Sequence, residues 1–121
     1  MKKIISCFHS EKEIQAQIIA YLWGLQRHGV LQFWRQNSGV AEYQTQGRVR
    51  RVKYGISGMP DICGYMRDGR ALFIEVKRHD GKTTLLQKNF LQNAHDMGCV
   101  CVVARSVNDV HIKLKEFGYC V

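Results

Sequence analysis

The strongest constraint on the fold is a set of three charged side chains placed in strand-like apolar runs. Ile62 to Met66 and Ala71 to Val76 are five and six residues long, apolar and rich in β-formers. Asp68-Gly69 between them is a hairpin signal, because a tight turn matching the twist of its strands needs the positive φ that Asp-Gly tolerates. Pro60-Asp61 precedes the first run. Glu75-Val76-Lys77 closes the second, with thirteen residues between Asp61 and Glu75. Residues two apart on a strand point to one face, so Glu75 and Lys77 project together and the hairpin can bring Asp61 beside them. The blander alternative makes Asp61 a turn residue and Glu75 and Lys77 a solvated charge pair. Phe73, Ile74 and Val76 argue against it, because they mark an interior strand, where charges are seldom buried without a partner or a metal.

The rest of the chain reads as a frame for this hairpin. Ser10 with Glu13 is a capping box, and Ile14, Ile18, Tyr21, Leu22 and Leu25 recur at helical spacing up to a stop at Gly29. Val30 to Gln36 reads as a strand ended by Asn37-Ser38-Gly39. Val40 to Ser57 is polar and basic, suited to an exposed β-ribbon or an ordered loop. Thr83 or Thr84 opens a helix whose Leu86, Phe90, Ala94 and Met97 share one face, capped by Gly98. Cys99 to Ala104 is a continuously apolar strand of the kind buried on both faces. Ser106 to Asp109 resembles a second capping box, and Val110, Leu114 and Phe117 predict a last short helix. The fold class is therefore α/β: a mixed β-sheet flanked by helices in the order α-β-(ribbon)-β-β-α-β-α, expected as one domain over 1–121.

Composition narrows the partners. The 121 residues carry a net charge of +8, which favours a polyanion. No apolar run approaches the ~20 residues of a membrane helix, and Ile4, Ile5 and Phe8 are too few for a signal-peptide core behind Lys2 and Lys3. The expectation is a cytoplasmic, intracellular protein with no membrane partner. Cys7, Cys63, Cys99, Cys101 and Cys120 lack the two-residue spacing of a zinc or redox motif and are expected as reduced thiols, with Cys63, Cys99 and Cys101 acting as small hydrophobes in apolar strand-like segments.

The three charges suit phosphodiester cleavage. That reaction needs a cation against the charge growing in the transition state. Mg²⁺ takes oxygen ligands, commonly one or two carboxylates with water and phosphate completing the shell. Asp61 and Glu75 supply carboxylates, and the backbone carbonyl of Val76 can add a neutral ligand. Lys77 would orient the attacking water or stabilise charge. Glu11 falls on the inner side of the first helix at ~100° per residue. It is read either as a further carboxylate for the metal or as a complement to the helix dipole.

The run Gly58-Met59-Pro60-Asp61-Ile62, then Ala71 to Lys77, then Leu86-Gln87-Lys88 and Gly98, resembles the VRR-Nuc (virus-type replication-repair nuclease) family of PD-(D/E)xK nucleases. The opening Ser10 to Gln15 is similar too, so the likeness spans about Ser10 to Val110. It implies a restriction-endonuclease-like core and a Mg²⁺- or Mn²⁺-dependent deoxyribonuclease leaving a 5′-phosphate and a 3′-hydroxyl, with no organic cofactor. By the same likeness Asp61 and Glu75 match the metal ligands, Lys77 the catalytic lysine, Glu11 the acidic residue of the first helix, and Gln87 a glutamine near the site. The short chain resembles stand-alone, phage-type members, which are similar to homodimeric Holliday-junction resolvases; a bacterial or phage source is implied.

Arg48, Arg50, Arg51 and Lys53 form the densest basic cluster, with Arg51 and Lys53 on one strand face and Arg48 and Arg50 on the other. They are expected to hold DNA phosphates, with Arg78, Lys82 and Lys88 nearer the site; a solvated loop is the alternative. Trp23 and Trp34 are expected as core or dimer contacts. The reading is a structure-specific endonuclease on branched DNA, with a role in DNA repair. Its rivals are a monomeric flap endonuclease or exonuclease and a non-catalytic nucleic-acid-binding module.

Overall fold

The computed structural model describes residues 8–36 and 39–121, so Cys7, the Lys2 to Ile5 stretch, Asn37 and Ser38 lie outside the described residues. The elements follow the expected order. They are α1 (Glu11–Arg27), β1 (Leu31–Arg35), β2 (Gly39–Thr45), β3 (Arg48–Tyr54), β4 (Ile62–Met66), β5 (Ala71–Val76), α2 (Leu85–Asp96), β6 (Val100–Ala104) and α3 (Val107–Glu116). Strands β1-β4-β5-β6 form one mixed sheet, antiparallel except for the parallel β5–β6 pair. Among the described residues, strands β2 and β3 pair only with each other, so the basic segment is a ribbon rather than a loop. Its turn is Gln46-Gly47, both at positive φ, as a two-residue hairpin turn of this twist requires.

The sheet has two unequal faces. Leu31, Met66, Ile62, Leu72, Ile74, Val76, Val100, Val102 and Ala104 fall on one face by register and pack against Ile14, Ile18 and Leu22 of α1 and Val110 and Leu114 of α3. Each branched side chain buried there contributes roughly 1.5–3 kcal/mol. The α1 start is the anticipated reciprocal box, with the Ser10 hydroxyl accepting from Glu13 N–H and the Glu13 carboxylate turning back to Ser10. The second face is covered only in part, by α2, where Phe90 meets Phe73 edge-on with ring centroids 5.0 Å apart.

Partial cover corrects several expectations. Helix α2 has no fully buried residue: Phe90 and Ala94 turn inward, whereas Leu86 and Met97 lie in solvent. The reason is that α2 lies over one side of the sheet only, and Met97 is its C-cap residue. Strand β6 is an edge, and its Cys101 and Val103 are half-buried under α2 instead of enclosed on both faces. Trp23 and Trp34 are not core residues: both are about half exposed, Trp23 edge-on to Phe33 beyond α1 and Trp34 on the open part of the second face. At α3, Ser106 accepts from Asp109 N–H, but the Asp109 carboxylate takes Arg105 N–H rather than closing a box. The described cysteines are free. Cys63 is buried, Cys99 and Cys101 half-buried, and Cys120 exposed.

One glycine links the hairpin to α2. Gly58 has φ +79°, and a Cβ there would run into the backbone of Leu86 and Gln87 in the first turn of α2. Gly98 has φ +90° but no atom within 4 Å of such a Cβ. Gly58→Ala is therefore expected to lower stability by more than about 1 kcal/mol, and by clearly more than Gly98→Ala. Urea unfolding midpoints of the two variants check this, and equal shifts would count against the close approach.

Candidate active site

On the second face the side chains fall in rows. The β4–β5 register pairs Ile62 with Ile74 and Cys63 with Phe73, so one step further places Asp61 opposite Glu75. Gln36 N–H donates to the Asp61 carbonyl at 2.8 Å, extending the β1–β4 pairing by one residue and bringing Gln36 into the same row. Val76 N–H donates to Asp61 Oδ2 at 2.9 Å. That bond anchors the carboxylate to the last residue of β5 and sets the Val76 peptide beside it.

Glu75 is the most unusual side chain in the molecule. It is 2% exposed, the one buried charged residue among those described. Its Oε1 accepts from Gln87 Nε2 at 3.1 Å and faces Lys77 Nζ at 3.8 Å. Its Oε2 is buried and has no hydrogen-bond partner among the described residues. Burial pushes the Glu75 carboxyl up to about 8; the Asp61 carboxylate raises it further by its charge and by favouring the protonated acid, which can donate to it, Lys77 opposes, and Glu11 adds a smaller push. Cys63, one row away, is pushed up to about 11, first by burial and then by the Asp61 and Glu75 charges, and so carries an inert thiol rather than a nucleophile.

Gln87 has two roles. Its Oε1 accepts from Thr84 N–H at 2.9 Å while its own N–H donates to Thr84 Oγ at 3.2 Å, the reciprocal box that starts α2. With the amide oxygen committed to an N–H, the NH₂ end is the end that faces Glu75. The capping bond thus orients the group that holds the carboxylate.

The structure brings Asp61, Glu75, Lys77, Gln87 and the Val76 peptide together. Glu11 is exposed at the start of α1, near enough for its charge to act on Glu75, but no group of three metal-ligating side chains closes among the described residues. The physical reason is that α1 lies against the opposite face, so Glu11 must reach around the strand ends. The basic residues are spread out. Arg48, Arg50, Arg51 and Lys53 are exposed along the ribbon, and Arg51 Nε pairs with Glu42 at 3.1 Å. Arg78 Nε pairs with Asp80 at 2.7 Å, Lys82 is exposed, and Lys88 lines a groove of about 530 Å³ between α2 and β6. Gln36 was not singled out by sequence reasoning. The alternation that puts it on the same face as Trp34 was legible, but its place beside Asp61 comes from the β1–β4 register.

A mixed sheet carrying this hairpin, flanked by helices, is a core of the PD-(D/E)xK nuclease type. The VRR-NUC domain family matches residues 10–108, most of the chain, and the protein belongs to that family. It is accordingly a nuclease of the PD-(D/E)xK type, with DNA as substrate, and nucleases of this type generally use divalent metal ions. No curated protein and no solved structure matches the chain.

The residues fit such an ion. Glu75 Oε2 is an orphaned buried oxygen next to a second carboxylate, and a hard cation that keeps several waters needs little more from the protein. Without a cation, a proton takes its place. Because the folded-state pKa of Glu75 lies above the ordinary 4.5, the native state binds the extra proton. Its stabilising contribution is complete below about 4.5 and is lost as pH rises through about 8. In a metal chelator, the melting temperature is expected to fall between those pH values. Glu75→Gln should flatten the fall, and a wild-type slope matching that of the variant would contradict it.

Proposed function

We propose that this nuclease is a structure-specific DNA endonuclease that works as a homodimer on branched DNA, with Asp61, Glu75 and Lys77 as its catalytic centre. The observation that carries the centre is the buried, unpartnered Glu75 Oε2 facing Asp61 across the hairpin. Support for branched DNA comes from the basic ribbon, which carries cations on both faces, and from the resemblance of stand-alone members of the family to Holliday-junction resolvases. Register puts Arg48 and Arg50 with Tyr43 on one face, and Arg51 and Lys53 with Glu42 on the other. Such a ribbon can contact two DNA segments at once, and phosphate contacts of this kind supply position and affinity.

A bound Mg²⁺ or Mn²⁺ would neutralise charge on the phosphate and make an attached water more acidic. Asp61, Glu75 and the Val76 carbonyl would hold it, with Glu11 contributing through its charge or a water. Lys77, half-buried and 3.8 Å from Glu75, would orient the attacking water and meet the charge on the phosphate oxygens. The water oxygen bonds to phosphorus, the P–O3′ bond breaks, and the water's protons end on the departing 3′-oxygen and in solvent. Gln87 is a positioning residue that keeps Glu75 in place. Arg78, Lys82 and Lys88 would hold the strand beyond the cut, with Arg78 first leaving Asp80.

Lys77→Ala and Asp61→Asn should each slow cleavage of a labelled four-way junction by at least about a hundredfold in Mg²⁺. Calorimetry should show Mn²⁺ heat lost in Asp61→Asn and kept in Lys77→Ala. A Lys77→Ala protein indistinguishable from wild type on junction, flap and linear duplex would end the assignment. Sedimentation tests the dimer: a monomer that cuts flaps or strand ends would favour the flap-nuclease or exonuclease reading.

A further inference from the structure

The open half of the second sheet face carries an aromatic surface that the catalytic roles leave unused. Helix α2 covers the Phe73 and β6 side, while among the described residues no helix lies over the β1 and β4 side. There Trp34 is 45% exposed and Tyr65 is 51% exposed, with ring centroids 6.3 Å apart and tilted by 57°. Register sets Trp34 opposite Cys63, one row from Asp61 and Glu75. Two residues along a strand span roughly 6.5–7 Å, about one nucleotide step of an extended single strand.

Gln36 joins the aromatic surface to the site. The Trp34 indole N–H donates to Gln36 Oε1 at 3.0 Å. An indole N–H can only donate, so the amide oxygen is the bound end and the NH₂ end points elsewhere. Gln36 is half-buried in the row of Asp61, and its Nε2 carries two donors of the kind that bind phosphate or sugar oxygens. Glu75 is closed off on its α2 side by Gln87, so a strand reaching it comes in over the Trp34 side. In the chain the basic ribbon is inserted between Gln36 and Asp61, the two residues that share this row.

We infer that Trp34, Tyr65 and Gln36 form a subsite for an unpaired nucleotide adjoining the scissile phosphate, with Trp34 stacking on the base and Gln36 donating to the backbone. This rests on the nuclease reading above and adds a substrate class to it. Bases inside a duplex already stack on their neighbours, whereas an unpaired base at a flap or tail, or one freed where a junction centre opens, has a free face. Base–aromatic stacking is strong and indifferent to sequence, so the subsite selects DNA structure without reading bases.

The test uses the sole-Trp34 protein Trp23→Phe, with Lys77→Ala to stop cleavage, in Mg²⁺. Trp34 emission is followed on adding oligothymidine, a duplex with an unpaired tail, and a blunt duplex, with occupancy measured by anisotropy of labelled DNA. Quenching by the single strand and the tailed duplex, and little by the blunt duplex at equal occupancy, is expected. Trp34→Ala should weaken tailed DNA about tenfold and leave blunt duplex unchanged. Trp34→Phe, which keeps a packed ring if alanine unfolds the edge, should retain most of the affinity. Silent Trp34 emission at saturation, or equal losses on tailed and blunt DNA, overturns the subsite. So does a Trp34→Ala protein that sediments as monomer where wild type is dimer, since that assigns the surface to a second copy. Wild-type cleavage with silent Trp34 removes the subsite alone; Trp34 quenching by unpaired DNA in a protein that cleaves nothing removes the nuclease chemistry alone.

Discussion

A carboxylate removed from water with one oxygen unpartnered is a costly object, and the site is organised around holding it. Leaving a charged form of Glu75 in that position without a cation is unfavourable enough to push its carboxyl to about 8. The surroundings offset only part of this: Gln87 satisfies Oε1, and Lys77 sits 3.8 Å away. Oε2 is left for something that arrives from outside. A divalent cation is the group that the neighbouring Asp61 and the oxygen-only donor set suit. The stability the fold forgoes here is preorganisation for a ligand.

The two unequal faces of the sheet make that arrangement possible. Helices α1 and α3 close one face with a continuous apolar layer, which provides the stability. The other face is shared between α2 and solvent, and Glu75 sits at the boundary between them. Covered fully, this face could not admit a phosphate; left open, it could not desolvate Glu75. The capping box of α2 serves both requirements, since the amide that starts the helix also grips the carboxylate. Gly58 lets the strand carrying Asp61 approach the same turn of α2, so both carboxylates are referenced to one rigid point.

Local rules made much of this legible. Alternation and the Asp68-Gly69 turn located β4 and β5, and Ser10 with Glu13 located the start of α1. The pairing of Glu75 with Lys77 follows from the two-residue period of a strand, and their company of Phe73, Ile74 and Val76 from burial. Local rules failed where exposure depends on what lies overhead. Leu86 and Met97 carry the right period for a buried face, yet no layer covers them. Trp34 is expected from the sequence as a core or dimer contact, and the core alternative fails because its strand lies at the sheet edge, on the side α2 does not reach.

Period, turn chemistry and capping are properties of a few neighbouring residues, so the chain alone determined its elements, their order, and the identity of Asp61, Glu75 and Lys77 as an anomalous set. Register and layering join residues far apart in the chain, and only the tertiary structure decided those. It placed Gln36 beside Asp61, aimed Gln87 at Glu75, left Oε2 without a partner, and kept Glu11 at the margin because α1 packs on the opposite face. It also left Trp34 and Tyr65 exposed beside the site, since α2 lies over only part of the sheet.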